Sequence, residues 1–210
     1  MKYQDFYNTH GHTKEEYERS HKARLDFLVE DLDLNSLKDK NIADFGCGLG
    51  FIFDRLNPEI QQNYFGYDGT PLENPPFNYK QVDLDSLNTD KSEFFDAALC
   101  FETLEHLTNP YSCLIEIKKC LKKDSLLYLS IPHQNTTHNT IYPGLLYPIQ
   151  NFVAFLKQMA FEIVDLKVHD KCFSQNVFVL KNRGWDYSQM LWAKQEEKFR
   201  GIPPHVSVNL

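Results

Sequence analysis

The sequence predicts one α/β domain, with a seven-stranded, mostly parallel sheet, helices on both faces and an antiparallel last strand. Short apolar runs alternate with helical patterns along the 210 residues, which is typical of parallel strands joined by right-handed crossovers. Polar residues follow the ends of several runs, where ligands bind in open α/β sheets. The last two runs, 161–168 and 176–180, are close enough in sequence to pair antiparallel.

The predicted elements follow one another with short connections. A helix covers Ser20 to Leu34, because Leu25, Leu28, Val29 and Leu32 recur at spacings of three and four. Prolines at 71, 75 and 76 argue against a full crossover helix there. The other predicted strands are 41–45, 63–67, 79–82, 95–100 and 125–131, and the other predicted helices are 50–57, 102–107, 110–122, 148–159 and 186–199.

Composition and charge exclude several classes of protein. A net charge of −7 argues against non-specific binding to nucleic acid or anionic membranes, since both need a basic surface. The apolar runs are too short to span a bilayer, and the N-terminus lacks a signal-peptide pattern. Five cysteines without a C-x-x-C pair suit a reducing compartment. We therefore expect a cytoplasmic protein with no membrane partner.

The stretch from Asn41 to Gly50 is the main functional signal. An apolar strand runs into glycines at 46, 48 and 50, so a ligand can lie close to the backbone of a tight turn. The dinucleotide pattern G-x-G-x-x-G would place its third glycine at position 51, which is Phe51. The pattern favours a nucleotide-type cofactor other than NAD; the alternative is a purely structural turn.

Asp44 to Gly50 resembles motif I of the class I S-adenosylmethionine (SAM) methyltransferases, and the segment 41–131 resembles their Rossmann-like core in every motif, in order. The resemblance implies SAM as cofactor. It implies that the backbone of Gly46, Cys47, Gly48 and Gly50 packs against the methionine part of SAM, and that Asp44 helps to hold its amino group.

The same resemblance assigns the nucleoside end of SAM to residues that follow strands 2 and 3. Asp68, followed by Gly69, would accept two hydrogen bonds from the ribose hydroxyls, which suits a carboxylate. Asp83 would take the adenine amino group, with Leu84 beside the ring. Phe101, after strand 4, would line the methionine end.

A narrower resemblance concerns two segments. Phe101 to Pro110 resembles the signature after strand 4 of the ubiquinone-biosynthesis O-methyltransferases, and His21 to Phe27 resembles their N-terminal helix, whose arginine contacts the SAM carboxylate. This makes Arg24 a cofactor residue. The sequence departs from that family at Lys123-Asp-Ser125, where the family has Pro-Gly-Gly, and at Ala160, where it usually has glycine. Residues 133–210 match no substrate-specific pattern.

Two histidines, His106 and His133, are the predicted catalytic bases, since histidine accepts a proton near neutral pH. Glu102, Glu105 and His106 are spaced to share one side of a helix. With a fourth ligand from His138 or His133, they would suit Mg²⁺, Mn²⁺ or Zn²⁺. The arrangement resembles the metal-binding helix of the ubiquinone and small-RNA 2′-O-methyltransferases. The alternative is that these side chains only cap and orient the helix.

The predicted function is SAM-dependent methyl transfer to oxygen or nitrogen of a small polar acceptor: a sugar, a sugar nucleotide or a diol-bearing metabolite. The alternative is a non-catalytic SAM-binding subunit or sensor, which would carry the same cofactor motifs. The domain is expected to span 1–210, with an N-terminal helical cap at 1–35. Residues 1–20 and 133–147 are expected to form a lid over the acceptor. A homodimer is left open.

Overall fold

The fold is built on one seven-stranded sheet, as seen in a computed structural model that describes residues 14–132, 148–169 and 175–185. The strand order is β3-β2-β1-β4-β5-β7-β6. Strand β7 runs antiparallel to both β5 and β6, and the other pairs are parallel. This confirms the predicted fold class. The strands are β1 Ile42–Phe45, β2 Tyr64–Asp68, β3 Asn78–Gln81, β4 Phe95–Phe101, β5 Leu121–Pro132, β6 Phe161–His169 and β7 Gln175–Asn182.

Helices cover both faces of the sheet. The α-helices are α1 Lys14–Asp26, α2 Pro58–Gln61, α3 Pro110–Cys120 and α4 Ile149–Gln158. A π-helical turn, Phe27–Asp31, continues α1. Single 3-10 turns lie at Leu34–Ser36, Phe53–Arg55, Leu84–Ser86 and Leu104–His106. In the described part of the chain, no helix has both the length and the apolar character needed to cross a membrane.

Two predicted helices are wrong in this structure. The segment 50–57 forms turns with one 3-10 turn, because Gly50 is left-handed with φ +82°, and Pro58 begins α2 rather than ending a helix. The predicted helix 102–107 is only the turn Leu104–His106, because Glu102 is left-handed with φ +48°. The predicted helix 186–199 and the lid segment 133–147 lie outside the described residues, as do residues 1–13 of the other lid segment.

Two apolar clusters pack against the two faces of the sheet. One lies under α1 and the π-helical turn, and includes Leu28, Ile42, Leu99 and Val177. The other lies under α3 and α4 and includes residues such as Phe152. The central strands β1 and β4 are therefore buried on both faces, as expected for parallel strands.

Two left-handed residues coincide with departures from the ubiquinone-methyltransferase pattern. Asp124 has φ +65° and Ala160 has φ +55°, where that family has glycine in both regions. Such a conformation costs a non-glycine residue about 1–2 kcal/mol. The Asp124 carboxylate is bound by Arg183 Nη1 at 2.5 Å, which offsets part of that cost. The fold therefore retains these turns without their glycines.

The aromatic ring of Phe77 takes the space beside the glycine turn. The connection from β2 to β3 contains no helix, as its prolines predict. A Cβ atom built on Gly50 would lie 2.7 Å from Phe77, and one built on Gly66 would lie 2.6 Å from Phe77 and 2.8 Å from Cys47 Sγ. Both glycines are therefore needed for close packing of this ring.

We predict that Gly66→Ala lowers the free energy of unfolding by about 1–3 kcal/mol, because the methyl group overpacks this contact. Urea denaturation measures the change. Gly69→Ala is the matched control, since its Cβ would meet nothing closer than Val82 O at 3.6 Å. Adding Phe77→Leu should reduce the cost of Gly66→Ala. Equal losses for the Gly66 and Gly69 variants would contradict this packing.

Candidate cofactor site

The glycine turn lies at the carboxyl end of β1, between β2 and β4. Gly46, Gly48 and Gly50 have φ values of +83°, +52° and +82°, which glycine adopts without strain. Gly46 N donates to Tyr67 O at 2.8 Å, and Gly50 N donates to Cys47 O at 2.9 Å. The first bond fixes the turn to the end of β2, and the second closes the turn on itself, which agrees with the predicted tight turn.

Thr103 holds the turn from the side of β4. A Cβ atom on Gly46 would lie 2.0 Å from Thr103 Oγ1, so only glycine fits. The Thr103 hydroxyl lies 3.0 Å from Phe101 O and 3.3 Å from Phe45 O, and its single proton is shared between them. Thr103 therefore joins the ends of β1 and β4. Sequence analysis did not assign it a role, although it lies within the segment Phe101–Pro110.

The Asp68 carboxylate bridges the glycine turn and the segment that follows β2. It accepts hydrogen bonds from Gly48 N and Thr70 N, both at 2.8 Å, and its residue is only 1% exposed. Hydrogen bonds to an ionised carboxylate are stronger than neutral ones. A carboxylate offers about four acceptor positions, so Asp68 retains capacity for a ligand while it fixes the backbone.

Asp44 is buried beside the turn and is hydrogen-bonded by the Tyr64 hydroxyl. Burial raises the pKa of Asp44 to about 7; the Tyr64 hydrogen bond lowers it in part, and the nearby Asp68 charge raises it. The register places Gly66 opposite Asp44. Sequence analysis missed Tyr64, because the β1–β2 register that brings it near Asp44 is not visible in the sequence.

Arg24 on α1 reaches the end of β4 and is 5% exposed. Its Nη1 lies 3.9 Å from Glu102 Oε2, and its Nη2 donates to Tyr17 Oη at 2.6 Å. The Tyr17 ring stacks on Phe51 with centroids 4.4 Å apart, so α1 is attached to the end of the glycine turn. Glu102 Oε1 accepts from Ser130 Oγ at 2.9 Å. The structure thus brings Arg24 to the predicted methionine end.

The residues predicted to bind the ribose and adenine of SAM lie after β2 and β3, and they differ in burial and in hydrogen bonding. Asp83 is exposed, and its carboxylate caps the following turn by accepting from Asp85 N at 3.0 Å and Ser86 Oγ at 3.1 Å. Leu84 is buried in the cluster under α3 and α4. Gly69 follows Asp68, and a Cβ atom built on it would lie 3.6 Å from Val82 O, an ordinary van der Waals contact. Thr70 Oγ1 is buried without a hydrogen-bond partner.

Two further predicted residues border the turn and the end of β4. Phe101 is half-buried and packs against the cluster under α1. Cys47 is buried, and burial raises the pKa of its thiol above the usual range. A neutral thiol makes Cys47 a packing residue rather than a nucleophile.

The predicted metal ligands do not come together as expected. Over 14–132, 148–169 and 175–185, no group of three His, Cys, Asp or Glu side chains is placed to hold a metal ion. Glu102 lies outside the helical turn, so its spacing to Glu105 and His106 no longer puts the three on one side. The described residues therefore do not fit the predicted ion. His133 and His138 lie outside the described residues.

The buried Glu105 lies beside the partly exposed His106. His106 Nε2 lies 3.8 Å from Glu105 Oε1. Glu105 is 1% exposed, and neither carboxylate oxygen has a hydrogen-bond partner. Burial and the neighbouring Glu102 raise the pKa of Glu105 well above its usual range.

The model of the methyltransferase domain family matches residues 14–174. This chain belongs to that family. The match confirms the predicted membership of the class I SAM-dependent methyltransferases, and the ubiquinone resemblance is distant. The ubiquinone biosynthesis O-methyltransferase of Actinobacillus pleuropneumoniae serotype 7 (strain AP76) is 29% identical over 122 residues, which covers 51% of each chain.

A second relative, the tRNA U34 carboxymethyltransferase of Sulfurimonas denitrificans (strain ATCC 33889 / DSM 1251), is 28% identical over 104 residues, covering 45% of this chain and 35% of the relative. The methyltransferase chain thus spans only about a third to a half of these two curated relatives. Magnesium protoporphyrin IX methyltransferase from Synechocystis PCC 6803, solved with bound SAH, has a similar fold with a TM-score of 0.60 and 15% identity, covering 85% and 97% of the two chains.

We predict that the pKa of Asp44 makes stability depend on pH. Its pKa is about 7 in the folded protein and 3.8 in the reference state, so the folded state holds a proton that the unfolded state releases between these values. The free energy of unfolding should fall as pH rises from about 4 to about 7, by at most about 4 kcal/mol from this group.

Denaturation of the ligand-free wild type and of Asp44→Asn at pH 5 and pH 7.5 tests this dependence. The asparagine variant cannot titrate, so its stability should change less between the two pH values. Glu105 has the same sign of shift and contributes equally to both proteins. Identical pH dependence in the two proteins would show that Asp44 does not titrate in this window.

Proposed function

We propose that this methyltransferase transfers the methyl group of SAM to oxygen or nitrogen of a small polar acceptor. The observation that carries the proposal is the glycine turn at the carboxyl end of β1, held between Asp68 and Thr103. The alternative is a non-catalytic SAM-binding subunit or sensor. Nothing in the described part of the chain favours it over an enzyme.

The charged groups around the turn fit the functional groups of SAM. Arg24 offers a cation for the amino-acid carboxylate, and Asp44 offers an acceptor for the ammonium group. The free acceptor positions of Asp68 suit the ribose diol. Thr70, with its unpaired hydroxyl, lies two residues from this carboxylate. Together, one cation and two carboxylates match the carboxylate, the ammonium group and the ribose diol of SAM.

Bound SAM supplies an electrophilic methyl group on a sulfonium. Transfer forms a bond from the acceptor atom to that carbon while the carbon–sulfur bond breaks and its electron pair stays on sulfur, leaving S-adenosylhomocysteine (SAH). The chain's part is to align the acceptor and to remove its proton. His106 is the proposed base, and its Nε2 lies 3.8 Å from Glu105 Oε1.

The acceptor is proposed to be a small molecule. The relatives include an O-methyltransferase of ubiquinone biosynthesis and a tRNA-modifying enzyme by name. Neutralising the phosphates of a nucleic acid requires a basic surface, and the chain has a net charge of −7. A sugar, a sugar nucleotide or another diol-bearing metabolite suits that charge better.

Calorimetry with SAM, SAH and NAD, followed by transfer of labelled methyl from SAM to added acceptors, tests the function. The expected result is binding of SAM and SAH without binding of NAD, and labelled product with at least one acceptor. Absence of SAM binding would refute the proposal. Binding without any turnover would favour the non-catalytic alternative.

For the ribose contact, we predict that Asp68→Ala weakens SAH binding about a hundredfold, or about 3 kcal/mol, through the loss of two charge-assisted hydrogen bonds. Because Asp68 also holds the turn, a second comparison is needed. Wild type should bind SAH more tightly than an analogue lacking both ribose hydroxyls, whereas Asp68→Ala should bind the two alike. Equal discrimination by both proteins would limit Asp68 to holding the backbone.

For the base, we predict that His106→Gln lowers kcat about 10²- to 10⁴-fold with an acceptor that the wild type methylates, because acceptor deprotonation is lost. SAH affinity should not change. Glu102, Glu105 and His106 are not placed to hold a metal ion together, so activity should persist in the presence of a chelator. Loss of activity in EDTA, with recovery on adding Mg²⁺, Mn²⁺ or Zn²⁺, would instead support the metal site.

A further inference from the structure

Gln175 carries an unexplained buried amide. Its side chain is 0% exposed, and neither Nε2 nor Oε1 has a hydrogen-bond partner. Leaving a buried polar group unpaired costs about 1–3 kcal/mol, and such groups are rare enough that each one calls for an explanation. The cost is understandable if a ligand completes these hydrogen bonds.

The position of Gln175 places it at the edge of the sheet that carries the glycine turn. In the register it lies between Pro132, at the end of β5, and His169, at the end of β6. Val177, two residues further along β7, packs under α1, so Gln175 lies on the same face of the sheet as Val177. Strands lie about 4.8 Å apart, so β7 is about 10 Å from β4, within reach of a small acceptor.

The surroundings of Gln175 form a buried polar layer under the π-helical turn. His169 is 4% exposed, and its ring lies 4.7 Å from the ring of Phe27, which begins that turn. Ser130, on the same face of neighbouring β5, is hydrogen-bonded to Glu102. π-helical turns are frequent at functional sites. Because the carboxamide is fully buried, a ligand can reach it only if a neighbouring element is displaced locally.

We propose, on the basis of the proposed methyltransferase function, that Gln175 positions the methyl acceptor and selects an uncharged one. The carboxamide presents a donor and an acceptor side by side. Its complement is a neutral group with the same pair, such as two adjacent hydroxyls or a lactam. A carboxylate has no proton to donate to Oε1, so an anionic acceptor binds poorly there.

A stability comparison tests whether the amide is free for a ligand. Asn182 is the matched control, because it is another buried amide whose bonds are made: it accepts from Gly184 N at 3.0 Å and donates to Leu121 O at 3.0 Å. Gln175→Met should leave Tm unchanged or raise it, whereas Asn182→Leu should lower it. A Tm for Gln175→Met as low as that of Asn182→Leu would mean that Gln175 is structural, and would overturn the proposal.

The second test uses SAH-loaded protein and four probes: catechol and methyl glucoside as neutral diols, uridine as a neutral nucleoside with both a diol and a cyclic imide, and benzoate as an anionic aromatic compound of similar size to catechol. Saturation-transfer NMR measures binding, and labelled SAM measures KM and kcat. At least one neutral probe should bind ten times or more tightly than benzoate. Gln175→Met should raise its KM tenfold or more with unchanged SAH affinity.

Three outcomes would overturn the proposal: no neutral probe binding to the SAH-loaded protein, benzoate binding as tightly as the neutral probes, or an unchanged KM in Gln175→Met. None of these outcomes affects SAH binding, so the proposed methyltransferase function would survive them. Failure to bind SAM and SAH at all would refute that function instead.

Discussion

The site depends on one interaction, the bridge made by the Asp68 carboxylate between Gly48 N and Thr70 N. The turn after β1 has three left-handed glycines and so the largest conformational entropy to lose. The glycine turn is not followed by a regular helix that would fix its C-terminal end, since residues 50–57 form turns. The two hydrogen bonds to the buried Asp68 carboxylate therefore fix the backbone of the turn, which in other arrangements a following helix would do.

The same need for order explains the aromatic residues around the turn. Where prolines prevent a helix between β2 and β3, the Phe77 ring packs directly on Gly50 and Gly66. Tyr17 of α1 stacks on Phe51, which follows Gly50. Short connections and aromatic side chains thus cover the glycine turn at the carboxyl edge of the sheet. The result is a turn held by side chains on three sides: Asp68, Thr103 and Phe77.

Sequence reasoning predicted the parts of this arrangement that depend on local pattern. The strands, the glycine turn and the acids at strand ends follow from apolar periodicity and spacing. Helix 102–107 was wrong because the left-handed Glu102, bound to Ser130, overrides a helical spacing. Tyr64, Thr103 and Gln175 were missed because their roles come from strand register, which brings together residues distant in sequence. Tertiary pairing, not propensity, decides those positions.

Buried polar groups at one edge of the sheet are hydrogen-bonded, whereas several at the other edge are not. This difference distinguishes groups that stabilise the fold from groups available to a ligand. At the edge away from the turn, Lys118 and Asn182 are buried but hydrogen-bonded to each other, and Lys118 lies 4.5 Å over the Phe161 ring. At the carboxyl edge, Thr70, Glu105 and Gln175 keep buried atoms unpaired. An edge that only stabilises the fold has no reason to leave hydrogen bonds unmade. Unpaired groups along the edge with the glycine turn are the pattern expected where ligands complete them.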